Sequence, residues 1–473
     1  MITALLGAVL FTPLIISSAT LYPFQTGKGM AFRVLVEITA FLYGWLVLIE
    51  PRARPKPNKL LTGVNAYRSF WGDLERMEGA FGILHGIALF VILSGFLTSK
   101  EEWARFFGGS LLASFIVAWY ALAQIYPALR LFPVVEPTSV QPGSTLGHQS
   151  FLATYAIFQI FFGLFIVLLQ KSRAWRAFGV CGSVVNLVLL TVTAVRGAQV
   201  GFFVAGAVGI VLTAVYVVKN LKARVALCGA LLVVIAFFGV LLSLKDSPHL
   251  KRFPYALQRM ATISPDAAMA RTRLIALRVS WEAFKERPVL GWGQENFKIA
   301  YNRHFDPEFL YYEAVWFDRA HNKIAEVIVQ TGAMGLIAYV SILFFGLLGL
   351  MRFIRMRDSS TERLLAICVI MLGSAYFVQN LFLFDTPTSY LMFFSSLAFV
   401  VFLLNEDKRV ADLKEWKKSR ASGTTMVKSP WRMFLVGGGI LTAFLIVYAN
   451  WIPYTTARLG RTAYDANDPR QAM

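Results

Sequence analysis

Charge is scarce in this chain. Of 473 residues only 15% are Asp, Glu, Lys or Arg, 57% are hydrophobic, and the mean hydropathy is +0.58. A disordered chain shows the opposite bias, and a water-soluble domain has no core large enough to hide so much apolar surface. Cysteine is scarcer still. Cys181, Cys228 and Cys368 stand inside or beside apolar runs, without the spacing of a disulfide framework or a metal site, and read as small core hydrophobes. Carboxylates are outnumbered, 27 against 46 Lys and Arg, for a net charge of +19. In a soluble domain that excess would suggest nucleic acid. Here the basic residues collect in short connections between apolar runs, and no basic helix with interleaved aromatics stands apart from them, which argues against nucleic-acid binding. No basic residue precedes the first apolar run, so that run reads as a membrane span and not a cleavable signal.

What is present is a series of long apolar runs. A membrane-crossing helix needs roughly 20 apolar residues, and these runs are far longer than barrel strands. The expected fold is an all-α polytopic transmembrane bundle of about twelve spans, near 2–21, 31–49, 79–98, 106–126, 150–170, 177–195, 198–218, 224–244, 325–350, 364–383, 386–404 and 433–451. Four regions follow: an N-terminal bundle over 1–244, one large extracytoplasmic loop bearing amphipathic helices over 245–324, a C-terminal bundle over 325–451, and a tail over 452–473. The tail turns polar and helix-prone around Ala457 to Asp465, as either the first helix of a tetratricopeptide-like array or a frayed amphipathic end.

Orientation follows from the basic connections. Lys171, Arg173 and Arg176 mark one, Lys219, Lys222 and Arg224 a second, and Arg352, Arg355, Arg357 and Arg363 a third; 405–432 adds Lys408, Arg409, Lys414, Lys417, Lys418, Arg420 and Lys428. Under the twelve-span count all four share a side, which the positive-inside rule makes cytoplasmic. The N-terminus, the loop ending at His148 and the 245–324 segment then face outward across the cytoplasmic (inner) membrane. Segment 51–78 dissents, because it carries Arg52, Arg54, Lys56, Lys59, Arg68 and Arg76 yet is exported by the count.

Segment 245–324 is too long for a passive connector. Thr272 to Phe284 has helical apolar spacing, Pro288 stops it, Gly291-Trp292-Gly293 makes a turn, and Phe305, Phe309, Tyr311, Tyr312, Trp316 and Phe317 follow. Such a helix suits the bilayer surface, capping a lateral cavity. The segment ends in Asp318-Arg319-Ala320-His321-Asn322. His321-Asn322, then nine residues, then Gly332-Ala333-Met334-Gly335 resembles the signature of the bacterial O-antigen ligase and polymerase family. Arg273 and Leu277 match its Arg-x-x-x-Leu element, Arg196-Gly197 resembles its other essential arginine, and Arg287 to Gly293 is similar to a shared loop phrase. Pro142 to Ser150 resembles the turn before a middle span. Leu336 stands where Thr is common, and His148 where Asn is usual.

The resemblance implies a C-type glycosyltransferase that uses an undecaprenyl-diphosphate-linked glycan donor and an acceptor glycolipid, polymer or protein among the membrane lipids, with no metal and no cofactor. Elementary chemistry suits those residues. Guanidinium forks bind diphosphate oxygens and stay charged, which suits Arg196, Arg273 and Arg319. An imidazole, with an ordinary pKa of about 6.5, suits His321 as the general base, with cationic neighbours favouring its neutral form. Asn322, Trp292, Gly293, Gln294 and His148 are expected to support the site. Each residue also has a plainer reading: Arg196 snorkelling to headgroups, Gly332 and Gly335 allowing close helix packing, and Arg271, Arg278 or Arg319 competing with Arg273. Asp73 and Glu75 offer an alternative acidic site for a divalent metal, with Arg68 and Arg76 placed to neutralise it. Within the superfamily a polymerase or a protein O-oligosaccharyltransferase competes. From another class, a transporter or flippase would need inverted halves and buried acids, for which Glu37 and Glu326 are the main candidates in the spans.

Overall fold

The computed structural model describes residues 1–16, 26–49, 65–72, 78–136, 141–262, 268–313, 317–405, 442, 446–451 and 454–459. Asp73, Glu75 and Arg76, the basic residues of 51–64, Trp316, the 405–432 cluster from 406 on, most of the 433–451 run and the tail from 460 lie outside these. The described residues form α1 (Ile2–Val9), α2 (Thr26–Ile49), α3 (Ala66–Trp71), α4 (Ala80–Phe96), α5 (Lys100–Ile125), α6 (Gln149–Leu169), α7 (Arg173–Thr193), α8 (Arg196–Tyr216), α9 (Leu221–Ser243), α10 (Tyr255–Ala261), α11 (Ala268–Glu286), α12 (Phe297–Arg303), α13 (Lys323–Met356), α14 (Ser360–Asn380) and α15 (Pro387–Leu404), with no strand among them. Eight of these helices, α5 to α9 and α13 to α15, are long and apolar enough to cross a bilayer. The chain is thus an all-α, multi-pass membrane protein.

The first expected span behaves differently. Helix α1 ends at Val9, and a 3₁₀ turn over Thr12–Leu14 carries Pro13, whose ring blocks continuation of the helix.

Helix α6 is the hub. Phe158, Phe161, Phe162 and Phe165 are fully buried, and the Phe107 ring packs tilted at 4.5 Å from Phe162 while Phe399 lies 5.1 Å from Phe165. Inside a membrane such packing, and not water exclusion, holds helices together. Small residues allow the closest approaches: a methyl on Gly163 would meet the Gly179 carbonyl at 2.5 Å, and one on Gly201 would meet that of Ala375 at 2.6 Å. Helix α9 instead turns most of its apolar residues outward. Cys181 and Cys228 are likewise exposed on helix faces and Cys368 is half-buried, so the cysteines are not core residues but small side chains on outward or partly covered positions.

Alternation of the helices sorts their connections to two ends. The basic turns at Arg173, at Lys219 to Arg224 and at Arg352 to Arg363 share one end, where Lys100 pairs with Glu362 at 3.2 Å and Arg363 donates to the Tyr216 carbonyl. The other end gathers His148, the start of α8, residues 244–262, 268–313 and 317–322, and the 381–386 turn. It also takes the described part of the dissenting segment, since Arg68 Nε donates to the Glu295 carbonyl at 2.7 Å.

Candidate active site

His321 sits at the mouth of α13 on a backbone fixed from several directions. Its φ of 50° is left-handed, a conformation that a non-glycine residue keeps only when neighbours enforce it. Asn322 supplies much of that constraint. Its Oδ1 caps α13 by accepting from the Ala325 N–H at 3.0 Å, while its Nδ2 donates to the Leu381 carbonyl at 3.0 Å. Asparagine after the histidine thus ties the helix start to the 381–386 turn. The half-buried His321 ring lies between Phe317, at 4.3 Å, and Phe384, at 5.2 Å. Its Nδ1 is 3.2 Å from the Arg319 carbonyl. A carbonyl only accepts, so the proton belongs on Nδ1 and the basic lone pair on Nε2.

Arg319 is engaged in another way. Its buried guanidinium contacts Glu295 and Glu326 closely and reaches Glu78 at 3.1 Å. Burial alone would pull its pKa down, but Glu295, Glu326 and Glu78 overcompensate and hold it firmly charged. The three carboxylates come from the approach to α4, the loop before α12 and the first turn of α13, so one side chain joins three parts of the fold. Its charge is offset locally, and its fork is occupied. Lys323 extends the network to Asp385 at 3.1 Å and Tyr390 at 2.8 Å.

The two glycine phrases form one unit. Helix α13 is broken at Gly332, whose φ of 64° and ψ of −167° are not helical. Into the break comes the loop phrase. Ala333 N donates to the Pro288 carbonyl at 2.8 Å, Trp292 N to that of Val329 at 2.8 Å and Gly293 N to that of Gln330 at 2.8 Å, satisfying groups that the interrupted helix would strand. A side chain on Gly332 would overlap the Val289 carbonyl, and one on Gly291 would meet Gly332 N at 2.6 Å. Gly332→Ala should therefore cost about 1–3 kcal/mol for the backbone strain, with the overlap added, and transfer should fall with it. A thermal melt of the detergent-solubilised protein measures this, and an unchanged midpoint would refute it.

The supporting residues occupy distinct places. Trp292 is buried, donates Nε1–H to the Ala283 carbonyl at 2.8 Å and belongs to the core of the loop with Phe297, Tyr301 and Phe309. Gln294 Nε2 donates to the Glu78 carbonyl at 3.1 Å. His148 caps α6 through the Ser150 N–H and is solvent-exposed, and its ring leads by Phe151, at 5.5 Å, to Phe384, which Phe151 approaches at 5.7 Å. His148 and His321 thus flank one aromatic cluster.

Arg196 opens α8. Its Nε donates to the Arg259 carbonyl at 2.7 Å and its Nη2 to Thr262 Oγ1 at 3.1 Å, while the next residue, Gly197, packs against Phe382. Gly197, the neighbour of Arg196, and the His321-Asn322 pair therefore both abut the 381–386 turn. The charges of Arg259 and Arg273 both act on Arg196. Burial lowers the pKa of Arg273, opposed by Glu313. Among the described residues no carboxylate comes within ion-pair distance of Arg196, Arg259 or Arg273, whereas Arg278 is taken by Glu308, at 2.7 Å, and Asp306. Beside Arg196 lies an open cavity of about 760 Å³, bounded by 245–251 and α10. Sequence reasoning missed Arg259, Glu78, Glu295 and the 381–386 turn, none of which carries a motif, and read Glu326 only as a candidate transport acid and not as a partner of Arg319.

Residues 181–340 match the family model described as O-antigen ligase. Over that segment, about a third of the chain, the sequence is similar to the O-antigen ligase family. No curated protein matches the chain. The matched segment runs from α7 to the middle of α13 and contains Arg196, Arg259, Arg273, the glycine phrases, Arg319 and His321, while His148 precedes it. A ligase of this family acts at a membrane on a lipid-linked glycan, which accords with the position of these groups at one end of the bundle.

Proposed function

We propose that this O-antigen ligase-family protein transfers a glycan from a polyprenyl diphosphate to an acceptor hydroxyl at the outer face of the cytoplasmic membrane. One contrast supports the reading most: among the described residues at the His321 end of the bundle no carboxylate lies within ion-pair distance of Arg196 or Arg273, while Arg278 and Arg319 are saturated. Guanidinium groups kept unpaired at a cost in desolvation are what a diphosphate requires. The basic turns at the opposite end favour placing the site outside.

In the step itself, His321 Nε2 takes the proton of the acceptor hydroxyl. The oxygen attacks the anomeric carbon from the face opposite the diphosphate, and the bond from that carbon to the diphosphate oxygen breaks, giving inversion. Arg196 and Arg273 absorb the charge that grows on the departing diphosphate. Arg319 has a positioning role: it fixes the segment whose carbonyl selects the His321 tautomer.

The full chain in lipid nanodiscs, given undecaprenyl-diphosphate glycan and a lipid A-core, polymer or protein acceptor, should yield the joined product by mass, unaffected by EDTA. Loss of transfer in EDTA would return the metal to Asp73 and Glu75. Lengthening of the donor glycan would identify a polymerase, and solute accumulation in sealed vesicles without transfer would identify a transporter.

A further inference from the structure

The cavity beside Arg196 carries more charge than the proposed mechanism uses. Its lining includes Arg196, Arg259, Lys245 and Lys251 against a single carboxylate, Asp246, which lies 3.9 Å from Lys245. Arg259 is oriented by Tyr255, whose ring it overlies at 6.0 Å, and its backbone carbonyl is fixed by Arg196. Neither Arg259 nor Lys251 has a carboxylate partner among the described residues. Like charges crowded at one opening repel one another, so the arrangement is stabilised only when an anion enters.

The surroundings indicate what kind of anion. Residues 245–251 follow directly on α9, whose Val233, Phe237, Val240 and Leu242 are exposed apolar side chains on a helix long enough to cross the bilayer. A ligand held here has its charged head in the cavity and a hydrocarbon surface immediately alongside. We propose that this cavity is a site for a phosphate-bearing lipid headgroup, in which Arg259 and Lys251 grip the polyprenyl diphosphate together with Arg196 while the polyprenyl chain lies along α9. The proposal rests on the diphosphate donor of the preceding section and adds Arg259 and Lys251 as donor-binding residues. They act on the diphosphate and not on the acceptor hydroxyl, so their loss is read chiefly in donor affinity, with Arg196 and Arg273 carrying most of the leaving-group charge.

The test uses the full chain in nanodiscs of neutral phosphatidylcholine, titrated with undecaprenyl diphosphate, alongside transfer kinetics. Arg259→Ala should weaken binding about tenfold, as expected for one charge-assisted contact, and raise the donor KM with kcat little changed; Arg259→Lys should recover part of the loss. Lys251→Ala, on an exposed residue, should weaken binding several-fold without altering the melting midpoint, which keeps the test decisive even if Arg259→Ala folds poorly. Unchanged affinity in Lys251→Ala and Arg259→Lys would overturn the proposal. So would a loss confined to phosphatidylglycerol nanodiscs with diphosphate binding intact, which would mark a site for ordinary anionic phospholipid. Diphosphate binding that depends on Lys251 in a protein that transfers nothing would uphold the site and refute the glycosyltransferase reading instead.

Discussion

Arg319→Ala is expected to destabilise the protein severely while sparing donor affinity in whatever fraction remains folded. The side chain is 3% exposed and faces Glu78, Glu295 and Glu326 at once. Removing one partner of a buried ion pair typically costs about 3–5 kcal/mol, because the other charge stays buried without compensation. Here three carboxylates from three parts of the chain would be left facing one another, and some would have to take up protons to remain inside. The melting midpoint should drop by roughly several degrees or more. Lysine should not rescue it, because one ammonium lacks the planar fork that reaches separate carboxylates. A variant with wild-type stability and lost diphosphate binding would instead make Arg319 a phosphate ligand.

His321→Ala carries the largest expected effect on rate. The ring is half-buried at the helix mouth, and Asn322, not His321, makes the capping bonds to Ala325 and Leu381, so the fold should survive the substitution. Loss of a general base typically lowers the rate by about 10²–10⁴-fold. Donor affinity should stay near wild type, because diphosphate binding is assigned to guanidinium groups elsewhere. His321→Ala that transfers at the wild-type rate would remove the assignment.

Much of this was legible in the sequence, because the bilayer simplifies the problem. A span must satisfy its backbone internally and be apolar over its whole length, so hydropathy located α4 to α9 and α13 to α15, with ends off by up to six residues at α5 and α13. Basic turns sorted the ends of the bundle for the same reason. Within the first expected span α1 ends earlier than read, at Val9, because apolar composition outweighed Pro13 in the reading. Within the site, His321, Asn322, Arg196 and Arg273 stood out through local motifs. What could not be read were relations between distant positions. Nothing near Arg319 in the chain signals that Glu78 lies 3.1 Å away, so its guanidinium looked available when it is fully engaged. Gly332 suggested helix packing, whereas the structure uses it to break α13 and admit the Pro288 and Val289 carbonyls. Arg259 belongs to no motif and acquires meaning only from the cavity it lines.

The most direct measurement is a cryo-EM structure of His321→Ala holding an undecaprenyl-diphosphate-linked glycan that it cannot transfer. The phosphorus atoms should lie within salt-bridge distance of Arg196 and Arg273, with the anomeric carbon directed toward position 321 and Arg319 still enclosed by its three glutamates. Diphosphate density at the basic turns on the opposite end of the bundle, or directly against Arg319 with its carboxylates displaced, would contradict the assignment of these arginines and of the catalytic end.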